Sequence, residues 1–346
     1  MLRFVVRRIL LLIPVLVGLA VLLFIWVRAL PGDPAKALLG EKGTAAAVAR
    51  LNAQYGFDQP VQVQFIKYVG QLARGNFGSS AVTGEPVLPT FFERFPATIE
   101  LATAALIFAV VVGIPLGYLA ARRAGGALDL FMVSGSLLGT VIPVFVLAYL
   151  LKVVFAVGLP GHIGGFKLSS LAFLPASGRQ DVAIDATHIT NFYILDGLIT
   201  REWDSAANAA VHLILPAIAL GSIPLAIVVR MTRASVIDVL GEDYVRTANA
   251  KGLAKSLITR RHVLRNALLP VITTIGLQTG ALLSGAVLTE SVFAFNGIGS
   301  YLFNAIGSLD YSVLQGFILI IALVYSLVNL IVDLLYGIID PRIRTS

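Results

Sequence analysis

Apolar residues run through this chain in long blocks separated by short polar or basic segments. Six stretches, residues 9–27, 101–121, 130–151, 206–229, 266–289 and 311–332, are free of charged side chains except for His212 in the fourth. A helix rising 1.5 Å per residue needs about 20 residues to cross a hydrocarbon layer of about 30 Å, so each block predicts a membrane-crossing helix. In residues 9–27, 15 of 19 positions are Leu, Ile, Val or Phe. Arg3, Arg7 and Arg8 precede this block as they would a signal peptide. Its apolar part is longer than the 7–15 residues usual there, and Ala35-Lys36-Ala37 lies well past its end, so the block reads as an uncleaved helix. Pro14, Pro115, Pro143, Pro216 and Pro224 fall inside the blocks and predict kinks.

Composition gives the same class. Hydrophobic residues are 57% of 346 and charged residues only 13%, against about 25% in ordinary soluble domains. The mean hydropathy is +0.87. These values exclude a typical cytosolic enzyme, a nucleic-acid binder and a disordered chain. The formal net charge of +7 reflects basic residues flanking apolar blocks, which orient helices in a bilayer. With the N-terminus inside, the inner segments hold 15 of the 26 Lys and Arg, and the longer outer segments hold 13 of the 19 acids. Both termini are then cytoplasmic. The expected fold is an all-α membrane protein of six transmembrane helices with long extracytoplasmic segments. Residues 1–98 would form the first helix and an outer segment. Residues 99–346 would form the main transmembrane domain, with an outer loop at 158–205 and an inner segment at 241–265. The outer stretches are expected as ordered loops or short helices. Cysteine is absent, so no disulfide, thiolate metal site or cysteine nucleophile exists.

The blocks lack the buried carboxylates and histidines that couple transport to ion gradients. His212 lies near the outer start of its helix, where a boundary residue bonded to a loop carbonyl is the ordinary reading. Gly252-Leu253-Ala254-Lys255-Ser256 lacks the glycines of a phosphate-binding loop. Ser284 follows Leu282-Leu283, so no Gly-x-Ser-Gly arrangement surrounds it. His162 and His188 are not at metal-ligand spacing. Polar positions inside the blocks, Ser134, Ser136, Thr140, Gln278, Thr279 and Ser284, are candidates for a translocation path; interhelical bonding is the commoner role of such residues.

The segment between the fourth and fifth blocks carries the most information. Residues 244–265 hold six Lys or Arg and no acid. A polybasic lipid patch, simple positive-inside bias and a docking element for another protein are all compatible with that charge. Local chemistry favours docking. Glu242 and Asp243 suit a helix start, Gly252 suits a helix end, and Ser256 offers an N-cap before Leu257. Two short helices with a glycine bend are expected, and lipid attraction alone requires no bend.

This segment, GEDYVRTANAKGL followed by HVLRNALLPV, resembles the coupling loop of B-type permease subunits of dipeptide, oligopeptide and nickel ABC importers. Ala248, Gly252 and Leu264 match the general loop pattern, while Arg246, Thr247, His262 and Arg265 depart from it. The likeness extends to Leu30-Pro31-Gly32-Asp33-Pro34, to Arg94-Phe95-Pro96-Ala97-Thr98, to Leu174-Pro175-Ala176-Ser177-Gly178-Arg179 and to the C-terminal block. It implies the type I ABC importer architecture and a non-catalytic membrane subunit in a bacterial inner membrane. Its partners would be a homologous C-type permease, two cytoplasmic ATPases that hold ATP and Mg, and an extracytoplasmic solute-binding protein. No cofactor is expected in this chain. Glu242, Asp243, Tyr244, Arg246, Ala248, Lys251 and Gly252 are the candidates for ATPase docking. Peptides are the expected cargo, with nickel, glutathione or haem as alternatives in the same branch and a stand-alone channel or secondary transporter as the alternative class. A membrane enzyme has no nucleophile–base pair behind it.

Overall fold

The computed structural model describes residues 2–29, 44–56, 58–163 and 166–339. In chain order the helices are α1 (Leu2–Ala29), α2 (Ala45–Tyr55), α3 (Val61–Ala73), α4 (Val87–Arg122), α5 (Ala127–Val141), α6 (Val144–Lys152), α7 (Tyr193–Ile199), α8 (Trp203–Leu240), α9 (Asp243–Ala250), α10 (Lys255–Leu257), α11 (Arg265–Phe293), α12 (Ile298–Gly307) and α13 (Tyr311–Ile339). A two-residue antiparallel pair, β1 (His162–Ile163) with β2 (Phe166–Lys167), lies between α6 and α7.

Three helical stretches are unbroken and apolar enough to cross a membrane: Val87–Arg122, Trp203–Leu240 and Tyr311–Val328. Two bent pairs raise the number to five among the described residues, and α1 adds only a shorter apolar stretch, Leu10–Trp26. The expectation of six even spans is modified by these breaks. The block 130–151 turns by 103° between Ala127–Val141 and Val144–Val157. Ile142 is extended at φ −79°, ψ 125°, as a residue before proline prefers, and Pro143 has no N–H to continue the ladder. The fifth block bends by 59° between Lys255–Leu282 and Gly285–Phe293. Pro14, Pro115, Pro216 and Pro224 instead lie within continuous helices, so proline alone does not decide where a helix breaks.

The chain forms two compact units, 1–95 with 300–346, and 96–299. In the unit 96–299, α8 is the central helix. Some 67% of its apolar window is buried, against 28% for α4. Glycines let its neighbours approach: a Cβ on Gly117 of α4 would lie 2.6 Å from the Val229 carbonyl oxygen, and one on Gly139 of α5 would lie 2.6 Å from that of Ser222. Small residues at such crossings supply the close packing that holds helices together in lipid. Leu101, Ala105, Leu213, Leu220, Leu282 and Phe295 belong to one apolar cluster here. Glu290 is fully buried and accepts the Thr98 hydroxyl at 2.6 Å.

The loop between α6 and α8 is ordered by polar contacts. Arg179 pairs with Glu100 at 2.7 Å, donates to the Asn191 carbonyl and stacks 3.6 Å over the Tyr193 ring. Asp196 accepts the backbone N–H of Ile189 and Thr190 and the Thr190 hydroxyl. Burial raises its carboxyl, but these bonds outweigh it and the group ends below the ordinary aspartate value. His212 is buried and donates from Nδ1 to the Asn208 carbonyl of its own helix α8 at 3.0 Å, rather than to a loop carbonyl.

In the other unit, α1 packs on α13 through Ala20, Leu23 and Leu319. Asp310, just before α13, accepts the Ser80 hydroxyl at 2.5 Å, and Phe91 stacks edge-on against Phe317. Leu30-Pro31-Gly32-Asp33-Pro34 lies outside the described residues.

Candidate functional site

The connection from α8 to α11 is built as a bent arm. Glu242 is extended at the N-cap of α9, with Asp243 in the first turn, although the Glu242 side chain makes no cap bond. Helix α9 closes on Gly252, whose φ is +71°. The Leu253 N–H reaches the Ala248 carbonyl at 3.3 Å and the Gly252 N–H reaches Asn249 at 3.0 Å. This is the paired closure of a glycine-terminated helix. Nothing lies within 4 Å of a Cβ placed on Gly252, so the glycine is required by its backbone angle and not by space.

The second limb departs from expectation at its start. Ala254, not Ser256, occupies the N-cap, with no side-chain bond, and the helical turn begins at Lys255, two residues earlier than a Ser256 cap would allow. A wide i→i+5 turn, Ile258–Leu264, then leads directly into α11. The arm is therefore continuous with the following long helix.

One face of the arm is buried. Val245 and Ala248 of α9 pack with Ile258, Val263 and Ala267, and with Ala121 and Val236 at the ends of α4 and α8. A fully buried valine contributes about 1.5–3 kcal/mol as an upper bound, so these contacts fix α9 on the helices behind it. Asn266 donates to the Tyr244 hydroxyl at 3.0 Å and to the His262 carbonyl, bridging the two limbs.

The candidate docking residues divide accordingly. Ala248 faces the chain's own core, whereas Glu242, Asp243, Tyr244, Arg246, Lys251 and Gly252 are exposed. Arg246 and Asp243 approach at 3.4 Å with both side chains mostly in the open, a pair worth little. The exposed surface of the arm is thus charged.

Three of the candidate path residues bond within their own helices. Ser136 is buried and donates to the Val133 carbonyl, Thr140 donates to Leu137, and Thr279 donates to Ile275. Each of these hydroxyls is satisfied by its own helix. Ser134 is exposed and Gln278 half-buried, while the Ser284 side chain lies outside the described residues. Among the described residues no group of three or more His, Cys, Asp or Glu is arranged to hold a metal ion.

One pair was not singled out by sequence reasoning. Arg233 of α8 donates from Nε and Nη2 to the two oxygens of Asp129 in α5, at 2.5 and 2.6 Å, and the Gly125 N–H donates to the same carboxylate at 2.9 Å. Both residues were counted only as charges flanking apolar blocks. Their pairing depends on α5 and α8 lying side by side, and nothing local announces it.

Residues 113–345 match the family described as binding-protein-dependent transport system inner membrane component. The chain belongs to this family. Residues 1–102 match the corresponding N-terminal membrane component. The chain is similar to the dipeptide transport system permease protein of Alkalihalophilus pseudofirmus, 42% identical over 344 residues and covering 99% of this chain and 100% of the relative. It is 45% identical over 349 residues to the di/tripeptide transport system permease protein of Pseudomonas aeruginosa, covering 99% of each. A probable D,D-dipeptide transport system permease protein of Escherichia coli is 43% identical over 333 residues, covering 96% of this chain and 94% of the relative. The family's membrane components are transport subunits and not enzymes. This one is the permease component of an ABC transport system, and its bent arm presents an exposed, charged surface.

Proposed function

We propose that this chain forms half of the translocation pathway of an ATP-driven importer for dipeptides and short oligopeptides. The names of the relatives support the cargo, and the arm between α8 and α11 supports the mode of action. The carrying observation is the division of α9 into a face anchored by Val245 and Ala248 and a face that leaves Glu242, Asp243, Tyr244, Arg246 and Lys251 exposed. A cytoplasmic ATPase gripping that exposed face would move the arm and α11 together, because the arm runs into α11 without a break. Closure of two ATPases on ATP would then reach the membrane helices as a rigid-body change.

In this reading the chain pairs with a homologous C-type permease, and an extracytoplasmic binding protein delivers peptide to the outer loops. Six helices cross the membrane in the type I importer arrangement, with both termini cytoplasmic. ATP and Mg belong to the partner subunits. The test is uptake of labelled dipeptides and longer peptides into vesicles carrying the assembled transporter, with and without ATP. Cysteine at position 246 should cross-link to an ATPase subunit in the same vesicles. Uptake by this chain alone, or an Arg246→Cys arm that touches no ATPase, contradicts the proposal.

A further inference from the structure

An apolar groove with a cavity volume of about 300 Å³ opens between α1, α3 and α13. Leu16, Ala20 and Val21 form one wall, Phe65 and Leu72 a second, and Leu323 a third. Every lining side chain is a hydrocarbon or a phenyl ring. Such a wall has no donor or acceptor for water, which needs two to four polar partners. It equally has nothing to offer a peptide bond, whose burial without a hydrogen bond is costly. The groove is therefore not a piece of a peptide path.

Polar groups gather beyond Phe65. The Phe65 ring meets Phe24 edge-on at 5.1 Å, and Phe24 lies 5.6 Å from the Tyr68 ring. The Arg28 guanidinium sits 3.4 Å over the opposite partner, the Phe24 ring. Gln64 Oε1 and the Phe24 carbonyl hold Arg28 in place. Both are neutral acceptors, and no described carboxylate pairs with this cation. The Tyr68 hydroxyl is buried without a hydrogen-bond partner. Burial pushes it up to about 12, against the opposing pull of Arg28, so it is a donor at any physiological pH. Helix α3 also exposes Val61, Ile66 and Val69 alongside Lys67, the composition of a helix lying in a membrane interface.

An apolar partner helix would fill the wall but leave the Tyr68 hydroxyl and the two remaining N–H donors of Arg28, whose other three bond Gln64 and the Phe24 carbonyl, without an acceptor. A phospholipid answers all three. We propose that the groove holds one acyl chain of a phospholipid whose phosphate is bound by the Arg28 guanidinium and the Tyr68 hydroxyl. Cationic pockets beside membrane helices recognise anionic headgroups in this way, and charge-assisted bonds from arginine to phosphate are among the stronger ones. The inference rests on the membrane location of the chain and is independent of which solute is carried.

The test uses the assembled transporter in nanodiscs containing phosphatidylglycerol with a photoreactive group in its acyl chain. After illumination, adducts are mapped by peptide mass spectrometry. Enrichment is expected on residues 16–21 and 65–73 relative to Phe131, a 79% exposed side chain on α5 that reports ordinary lipid contact. Arg28→Gln should lower the groove adduct about fivefold, as loss of one basic contact implies, and Tyr68→Phe should lower it further. Ala73→Trp, placed on the exposed wall, should abolish it. Adduct at Phe131 stays constant in all three variants and shows that they remain folded in the bilayer. Groove labelling no greater than at Phe131, labelling unaffected by Arg28→Gln, or occupation of the groove by a partner-subunit peptide or by residues 30–43 of this chain overturns the proposal. Transport activity enters none of these readouts, so failure here leaves the peptide reading untouched.

Discussion

Arg233 clamps Asp129 with two hydrogen bonds of 2.5 and 2.6 Å, joining the start of α5 to α8 seven residues before α8 ends at Leu240. The carboxylate is nearly enclosed, with 6% of its side chain exposed, whereas the guanidinium retains 31%. Removing one partner leaves a desolvated charge, and hydrogen bonds to charged groups are each worth about 1.5–3 kcal/mol. Arg233→Ala is expected to destabilise the assembled transporter by about 2–3 kcal/mol, read as a lower Tm in detergent. Arg233→Lys should recover only part, because a single ammonium cannot reproduce the two-pronged contact. Equal Tm for all three proteins would show that the pair carries no stability.

The glycine that ends α9 gives a backbone prediction. At φ +71° Gly252 occupies the left-handed region, where a side chain costs about 1–2 kcal/mol. Gly252→Asp should leave the complex assembled, since the position is open, while the bend relaxes and ATP-driven uptake falls. Co-purification of the ATPases together with uptake measures both halves. Normal uptake by this variant would remove the bend from the mechanism.

Exposed residues on the arm should behave differently from its buried face. Arg246→Glu and Lys251→Glu are expected to change stability by no more than about 0.5 kcal/mol while weakening ATPase coupling. Val245→Ala should instead cost about 1–3 kcal/mol, through lost burial and a cavity. Comparing Tm with substrate-stimulated ATP hydrolysis separates the two classes.

Removing the charge from Glu100 should be severe. Arg179 and Glu100 are each only 9% exposed, and Glu100 also accepts the Ile194 N–H at 3.0 Å. Breaking a buried pair from one side costs about 3–5 kcal/mol. Glu100→Gln should therefore loosen the loop before α8, detected as new protease cleavage between residues 180 and 200.

Asp196 supplies a pH dependence. Its folded-state carboxyl lies below the ordinary value of 3.8, because hydrogen bonds from Thr190, Ile189 and Asn191 outweigh the burial that would raise it. The stability it contributes is complete above 3.8 and is lost as the pH falls through the lower folded-state value. Asp196→Asn should be less stable than the parent at neutral pH, and the gap should shrink under strong acid. A gap independent of pH would assign the effect to packing.

The apolar blocks, the basic arm and its glycine bend were legible in the sequence because each is a local property. Residue hydropathy specifies a preference for lipid whatever the neighbours, and Gly252 is needed by its own φ. The loop family was legible for the same reason, in the unbroken string from Gly241 to Leu253. The expected Ser256 cap failed because helix ends shift by a residue or two according to what packs against them; here the cap lies two residues earlier, at Ala254, and Ile258 is buried in the core of the arm.

What tertiary structure alone decided is which of several similar local signals acts. Six prolines lie in apolar blocks, counting Pro270 in the fifth, yet the sharp 103° break is at Pro143. The Asp129–Arg233 clamp and the Arg179–Glu100 pair join residues 104 and 79 positions apart, a separation at which sequence periodicity is silent. Ala248 was a docking candidate by size, but the packing of α9 on α4 and α8 turned it inward. The chain by itself thus determined that it enters a membrane and carries an exposed bent arm, through properties summed residue by residue. Which polar groups meet, which face of the arm is free and where a spanning block folds back were settled only by helix packing, because each depends on the distance between side chains remote along the chain.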